Sequence, residues 1–217
     1  MIFYKILISV IALSSITYAT TINYLEILGQ DKEFLSNWSI QTTDKTSIIS
    51  GNTLLDHIYI ETKNGSTTVW KNKRKYEDSE IIAIRTEDKI KITGTQNNEP
   101  FEKELIIGKY PWYQTPGFLL EEFALSNEQT KQFIMLRITN HSPLLMEIKK
   151  DKEEIIKVNQ TEYNAIKTYI YPASFLKYFW KAPMWFDINT GKVLKYDGLI
   201  GGPGSDSFQI LYSDKKK

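Results

Sequence analysis

WKAPMWFDINTGKVLKYDGLIGGPG, residues 180–204, decides how the rest of the chain is read. Met184 and Phe186 fall on one side of an extended run, Trp185 and Asp187 on the other. Asn189-Thr190-Gly191 follows as a turn, with Gly191 free to take a positive φ. The chain then returns through Val193 and Lys195 on one face, Leu194 and Tyr196 on the other. This is the pattern of a closing β-hairpin rather than of a catalytic loop. The Gly191-Lys192 pair does not end a phosphate-binding loop. Phe186 stands where that motif needs glycine, and Val193 where it needs Ser or Thr. Gly201-Gly202-Pro203-Gly204 reads as a tight reversal in preference to a nest of amides for an anion.

Working outward, the same grammar recurs. Runs rich in β-branched residues or alternating in polarity cover 54–62, 67–76, 81–86, 89–93, 102–107 and 131–139. Further runs cover 144–149, 154–158, 163–171, 184–187, 192–197 and 208–212. Lys63-Asn64-Gly65, Glu87-Asp88, Gln96-Asn97-Asn98, Lys150-Asp151-Lys152 and Asn189-Thr190-Gly191 supply the turns between them. In KIKITG, residues 89–94, Ile90 and Ile92 face one way while Lys89, Lys91 and Thr93 face the other. One wet face and one dry face is the mark of an antiparallel sheet. The spacing predicts a mainly β protein: a single large curved antiparallel sheet, or an incomplete barrel, built as a β-meander with one or two short helices. The first of those helices is expected at 118–125, after Pro116-Gly117. There Phe118, Leu119, Phe123 and Leu125 take helical spacing, and Glu121-Glu122 reads as a solvated face. Residues 173–180 fit a helical turn or a strand equally.

The chain opens with Lys5, an apolar run from Ile6 to Ile16, and Thr17-Tyr18-Ala19. This predicts a secretory leader, residues 1–19, cleaved near Ala19. The run is too short to span a bilayer, which takes roughly 20 apolar residues. The expected product is a single β-rich domain, residues 20–217, exported to the periplasm or secreted, with no transmembrane segment.

Composition narrows the function. The chain carries 27 basic and 26 acidic side chains, and Lys5 of the leader accounts for the difference. A neutral chain has no basic surplus with which to hold nucleic acid or an anionic membrane as its main partner. It has no cysteine and two histidines, His57 and His141, too few for a familiar metal site. No Gly-x-Ser-x-Gly elbow marks a nucleophile. Neither a catalytic set, a cofactor nor a metal is expected.

The order VNQTEYNAIKTYIYP, FWKAPMWFDINTGKVLKYDG and GGPG, within 158–204, resembles a group of uncharacterised exported bacterial proteins of unknown function. The hairpin WFDINTGKVLKYDG is also similar to one in the LolA/RseB-like class, and the resemblance covers 144–212 best. It implies an incomplete antiparallel barrel with a helical lid, here 118–125, over an apolar cavity in which carrier members hold acyl chains. Trp112, Phe118, Trp180 and Trp185 are the residues expected to line that cavity or its rim, with core filling as the simpler account of the same aromatics. Arg137, on a strand face shared with Phe133 and Met135, is the candidate for a polar cavity residue. Three classes stand in order: a non-catalytic binder or carrier of a lipid-like ligand, an envelope module that binds or senses another protein, and an enzyme whose site the sequence does not display.

Overall fold

The computed structural model describes residues 17–96, 98–137, 139–200 and 204–214. The leader through Ile16, Asn97 of one expected turn, Ile138, residues 201–203 of the glycine knot, and the terminal Lys215-Lys216-Lys217 lie outside the described residues.

Fourteen strands form one antiparallel sheet. The first eight are β1 (Thr17–Leu28), β2 (Lys32–Thr43), β3 (Thr46–Asn52), β4 (Asp56–Lys63), β5 (Ser66–Arg74), β6 (Ser79–Thr86), β7 (Lys89–Gln96) and β8 (Glu99–Ile106). Two short helices follow, α1 (Pro116–Leu119) and α2 (Glu121–Leu125). The second meander is β9 (Thr130–Leu136), β10 (Pro143–Val158), β11 (Thr161–Pro172), β12 (Ala182–Asp187), β13 (Val193–Leu199) and β14 (Ser207–Ser213), with a 3-10 turn at Phe175–Tyr178 between β11 and β12. Each strand pairs with its neighbour in sequence. The exception is the long connection from β8 to β9, and pairing of β1 with β14 joins the two meanders into one sheet. Strands β8 and β9 are therefore the two edges, and they do not pair with each other.

Four of the expected turns fall at reversals between strands. Asn64 and Gly65 take φ of 51° and 70°, Glu87 54°, Asn98 66° and Gly191 71°, the left-handed conformations that tight reversals of a twisted ribbon demand. Lys150-Asp151-Lys152 corrects the expectation. It is not a turn but a β-bulge inside one long strand, β10. The extra residue reverses the alternation. Before it, Met146 and Ile148 enter the main core; after it, Val158 enters a cluster on the opposite face.

The main core runs along one face of the whole sheet, through Ile49, Ile60, Trp70, Ile92, Phe133 and Ile148 among others, all nearly or wholly buried. Trp38 lies flat over Gly51, its cross-strand partner. A Cβ on Gly51 would stand 2.3 Å from the indole, so the glycine makes room for the ring. On the opposite face Val158, Ala165, Trp185 and Leu194 form a smaller cluster. The first three strands do not figure among the expected runs. Their inward positions include Glu26, Ser36 and Gly51, which break the apolar alternation. Glu26 is tolerated inside because its carboxylate accepts the Leu54 N–H at 2.7 Å. Burial, set against that bond, raises its pKa.

Candidate functional site: a strap and a lid on the inner face

Residues 107–125 do what a fifteenth strand would otherwise do. Pro111 to Gln114 run beside the free edge of β9. Ile134 N–H donates to Pro111 O at 2.8 Å, and Tyr113 N–H donates to Ile134 O at 2.9 Å. The Gln114 amide extends the pairing, since its Nε2 donates to Leu136 O and its Oε1 accepts from Leu136 N–H, both at 3.0 Å. The same Oε1 accepts from Trp112 Nε1 at 2.9 Å. On its other side the strap meets the start of β5: Thr67 N–H donates to Trp112 O at 2.8 Å, and Trp112 N–H to Ser66 Oγ at 3.1 Å. Burying these polar groups costs little when they are paired in this way; Thr115 Oγ1, at the end of the strap, is buried without a partner. Nearby, the His141 ring in the β9–β10 turn stacks on Phe101 of β8 at 4.7 Å and 7°. That contact brings the two sheet edges together without joining them.

Past Thr115 the chain forms the lid, α1 and α2, broken at Leu120. Pro116 starts it, a position where a missing N–H costs nothing. Neither helix receives a side-chain cap at its N-terminus. What holds the lid is apolar contact: Leu120, Phe123 and Ala124 are buried, and Phe118 meets Trp38 at 4.7 Å and Tyr24 at 6.0 Å. Lys150 Nζ donates to Ser126 O at the rear and lies 5.1 Å from the Phe123 ring. At the front, Gly191 lies against the lid, where a Cβ would come within 2.6 Å of Glu121 O.

Glu121 departs from the solvated reading. Glu122 is exposed, whereas Glu121 is partly buried beside Tyr24. Burial pushes its pKa up to about 7, offset in part by Lys192. Burial, with Glu121 next, also raises the pKa of the Tyr24 hydroxyl. The sequence offered no signal for this, because adjacent glutamates on a short helix look alike until the partner surface is known.

The expected cavity residues separate. Trp112 is fully buried in the strap, Phe118 is the lid's inward ring, and Trp180 packs partly buried on the same core. Trp180 Nε1 is enclosed without an acceptor. Trp185 belongs to the opposite face, where its Nε1 donates to Glu154 Oε1 at 2.7 Å between Lys167 and Lys195. It cannot share a cavity with the other three. Arg137 has the parity of Phe133 and Met135, but β9 ends at Leu136 and Arg137 is exposed in the following turn. Open grooves indent the surface. One of about 430 Å³ lies behind the lid, floored by Ala124, Ile166 and Ile188, and another of about 420 Å³ runs beside Tyr171, Phe175 and Tyr178. Neither is lined by the four expected aromatics: Trp112 lies in the main core, Phe118 and Trp180 pack against it, and Trp185 lies in the smaller cluster.

The architecture defines a class: an open, barrel-like antiparallel sheet closed by a strap and a lid. A crystal structure described as a beta-barrel-like protein of a domain of unknown function, DUF1849, from Brucella abortus matches over 89% of this chain and 94% of that one, at TM-score 0.57 and 8% identity. The hypothetical lipoprotein YmcC from Escherichia coli (K12) is aligned over 93% of this chain and 89% of that one, at TM-score 0.38 and 9% identity. The first likeness shows the fold, and neither bears out the LolA/RseB-like resemblance of the closing hairpin. No family model and no curated protein matches the chain. Among the described residues no helix is long and apolar enough to cross a membrane.

Proposed function

We propose that the protein is exported, acts without catalysis, and binds a lipid-like apolar ligand by displacing the lid, residues 116–125, from the inner face of the sheet. One observation carries the reading: an aromatic interior is covered by a segment held mainly by apolar contact, directly after a strap held by directional hydrogen bonds. Apolar contacts with the lid can be exchanged for apolar contacts with an acyl chain at little net cost. Each Å² of chain removed from water contributes roughly 25 cal/mol before the costs of association. Trp180 Nε1, a donor without an acceptor, would suit a carboxyl or ester oxygen. Export rests on Lys5, the apolar run and Thr17-Tyr18-Ala19. The expected cut would fall within the exposed start of β1 and leave its buried part, Ile22 to Glu26, in place.

The test locks the lid. A Cβ on Gly117 would stand 3.4 Å from Val193 Cγ2, close enough for a disulfide between Gly117→Cys and Val193→Cys in a chain with no other cysteine. Delipidated reduced protein should bind a fluorescent fatty acid saturably, and oxidation should weaken that binding by at least about tenfold. Equal binding in both states, or none by the wild type across several chain lengths, would defeat the proposal.

A further inference from the structure

The segment between β11 and β12 exposes what a folded chain ordinarily hides. Phe175, Tyr178 and Phe179 are 71%, 79% and 71% exposed. They do not dangle from a loose loop. Ser174 Oγ accepts the Leu176 N–H at 3.3 Å, and Phe179 N–H donates to Leu176 O at 3.0 Å, which closes one 3-10 turn. Leu176 and Trp180 turn inward, with Trp180 packed on the main core. The result is a knuckle with two apolar side chains as its root and three aromatic rings as its crown. Rings displayed so openly mark a contact surface rather than unfinished core.

The charges around the crown choose the partner. Lys177 within the turn and Lys181 just past it are both exposed, and Ser174 to Lys181 contains no acid. Lys149 is exposed on the adjoining face, and Lys181 Nζ lies 4.6 Å from the ring of Tyr169, the cross-strand partner of Lys149. The acid at the base of the knuckle, Glu147, is occupied: it accepts from Tyr171 Oη at 2.6 Å and Gln132 Nε2 at 2.8 Å. Those bonds, with Lys177 and Lys149 nearby, hold its pKa below the ordinary value. Aromatic rings ringed by flexible lysines match the boundary of a bilayer. There rings settle at headgroup depth, and ammonium groups reach anionic phosphates.

We propose that the knuckle Ser174–Lys181 seats the protein on the surface of an anionic lipid membrane. Phe175, Tyr178 and Phe179 enter the interface, while Lys177 and Lys181 meet the headgroups. This goes beyond the ligand reading and stands whether or not the lid opens. Co-sedimentation with vesicles tests it, using phosphatidylethanolamine and phosphatidylglycerol at roughly three to one, against phosphatidylcholine alone. The wild type should sediment with the anionic vesicles, less so with added salt. Phe175→Ser, Tyr178→Ser and Phe179→Ser together should weaken binding at least about tenfold. Lys177→Glu with Lys181→Glu should remove the preference for anionic lipid. All three rings are exposed, so the denaturation midpoint should hold; Tyr178→Ser alone serves if the triple variant does not fold. Wild-type protein left in the supernatant, equal binding to both vesicle types, or ring variants that bind like the wild type would each overturn the proposal. A protein partner lost with the ring variants, when vesicles are not bound, would move the knuckle to a protein interface.

Discussion

Residues 107–115 and 116–125 belong to one connection, yet the first half is tied by hydrogen bonds on both flanks and the second by the burial of a few rings and methyl groups. Along the strap, Pro111, Trp112, Tyr113 and Gln114 each meet a specific partner atom on Thr67, Ile134 or Leu136, so a displacement of an ångström breaks several bonds at once. In the lid, Phe118 meets Tyr24 edge-on and Trp38 at a tilt, through ring contacts rather than hydrogen bonds. Burial is non-directional and hydrogen bonding is not, and the two halves of the connection differ in this respect. The edges of the sheet repeat the contrast. Strand β9 is covered by the strap, whereas among the described residues no strand pairs with the outer edge of β8, which carries Glu99, Glu102, Lys103 and Glu104, charges that discourage another strand from pairing there.

The comparison breaks first at its anchor. Trp112→Ala removes a fully buried indole and the donor to Gln114. The expected cost is about 3–5 kcal/mol. Phe118→Ala, in the lid, is expected to cost about 1–2 kcal/mol, because its ring is only partly buried. Urea midpoints with matched slopes measure both. Equal losses would mean that strap and lid are one rigid unit, and the distinction between them would fall.

Gly191→Val strikes the seat of the lid. Two costs coincide there: φ is 71°, and the new Cβ would lie 2.6 Å from Glu121 O, a backbone atom. A β-branched residue in that conformation is expected to cost about 1–3 kcal/mol. Limited proteolysis around 116–125 should quicken in the variant, since relief comes by pushing α2 away. An unchanged denaturation midpoint together with unchanged cleavage would show that the lid does not rest on this turn.

Much of this was legible before any coordinates. Ile90 and Ile92 against Lys89 and Lys91, or Met184 and Phe186 against Trp185, alternate as a half-buried sheet requires, and the structure places them so. Gly191 announced its turn because few residues accept that φ. What stayed hidden depends on partners far along the chain. The strand that carries Glu26 is not among the expected runs, because the Leu54 amide that satisfies this inward carboxyl lies 28 residues away. Lys150-Asp151-Lys152 looked like a turn because a bulge and a reversal draw on the same polar residues. Trp185 and Trp180 looked alike, but the alternation that puts Trp185 on the outer face says nothing of where the lid lies. The role of Gln114 had no local signature, since a glutamine amide acting as a piece of strand is visible only once β9 is beside it.

The smallest effect reports on the lid alone. Glu121 has its pKa raised to about 7 by burial, so between its ordinary value near 4.5 and about 7 the folded chain holds a proton that the unfolded chain has released. Stability changes with pH in proportion to the protons bound by the unfolded state minus those bound by the folded one. That difference is negative across this window. The contribution of Glu121 is therefore fully present at acid pH, declines as pH rises toward 7, and stays low above it, where an ionised carboxylate sits partly out of water. Glu121→Gln keeps the shape and removes the charge. It should raise the denaturation midpoint at pH 8, leave it nearly unchanged at pH 4, and flatten the pH profile between them. The gain should be smaller than the loss in Gly191→Val, because part of the carboxyl reaches solvent and Lys192 already offsets its charge. The same substitution should slow proteolysis within 116–125 at pH 8 and leave cleavage elsewhere unaltered. If the midpoint moves equally at both pH values, the carboxyl is acting through packing and not through charge, and pH does not act on the lid through Glu121.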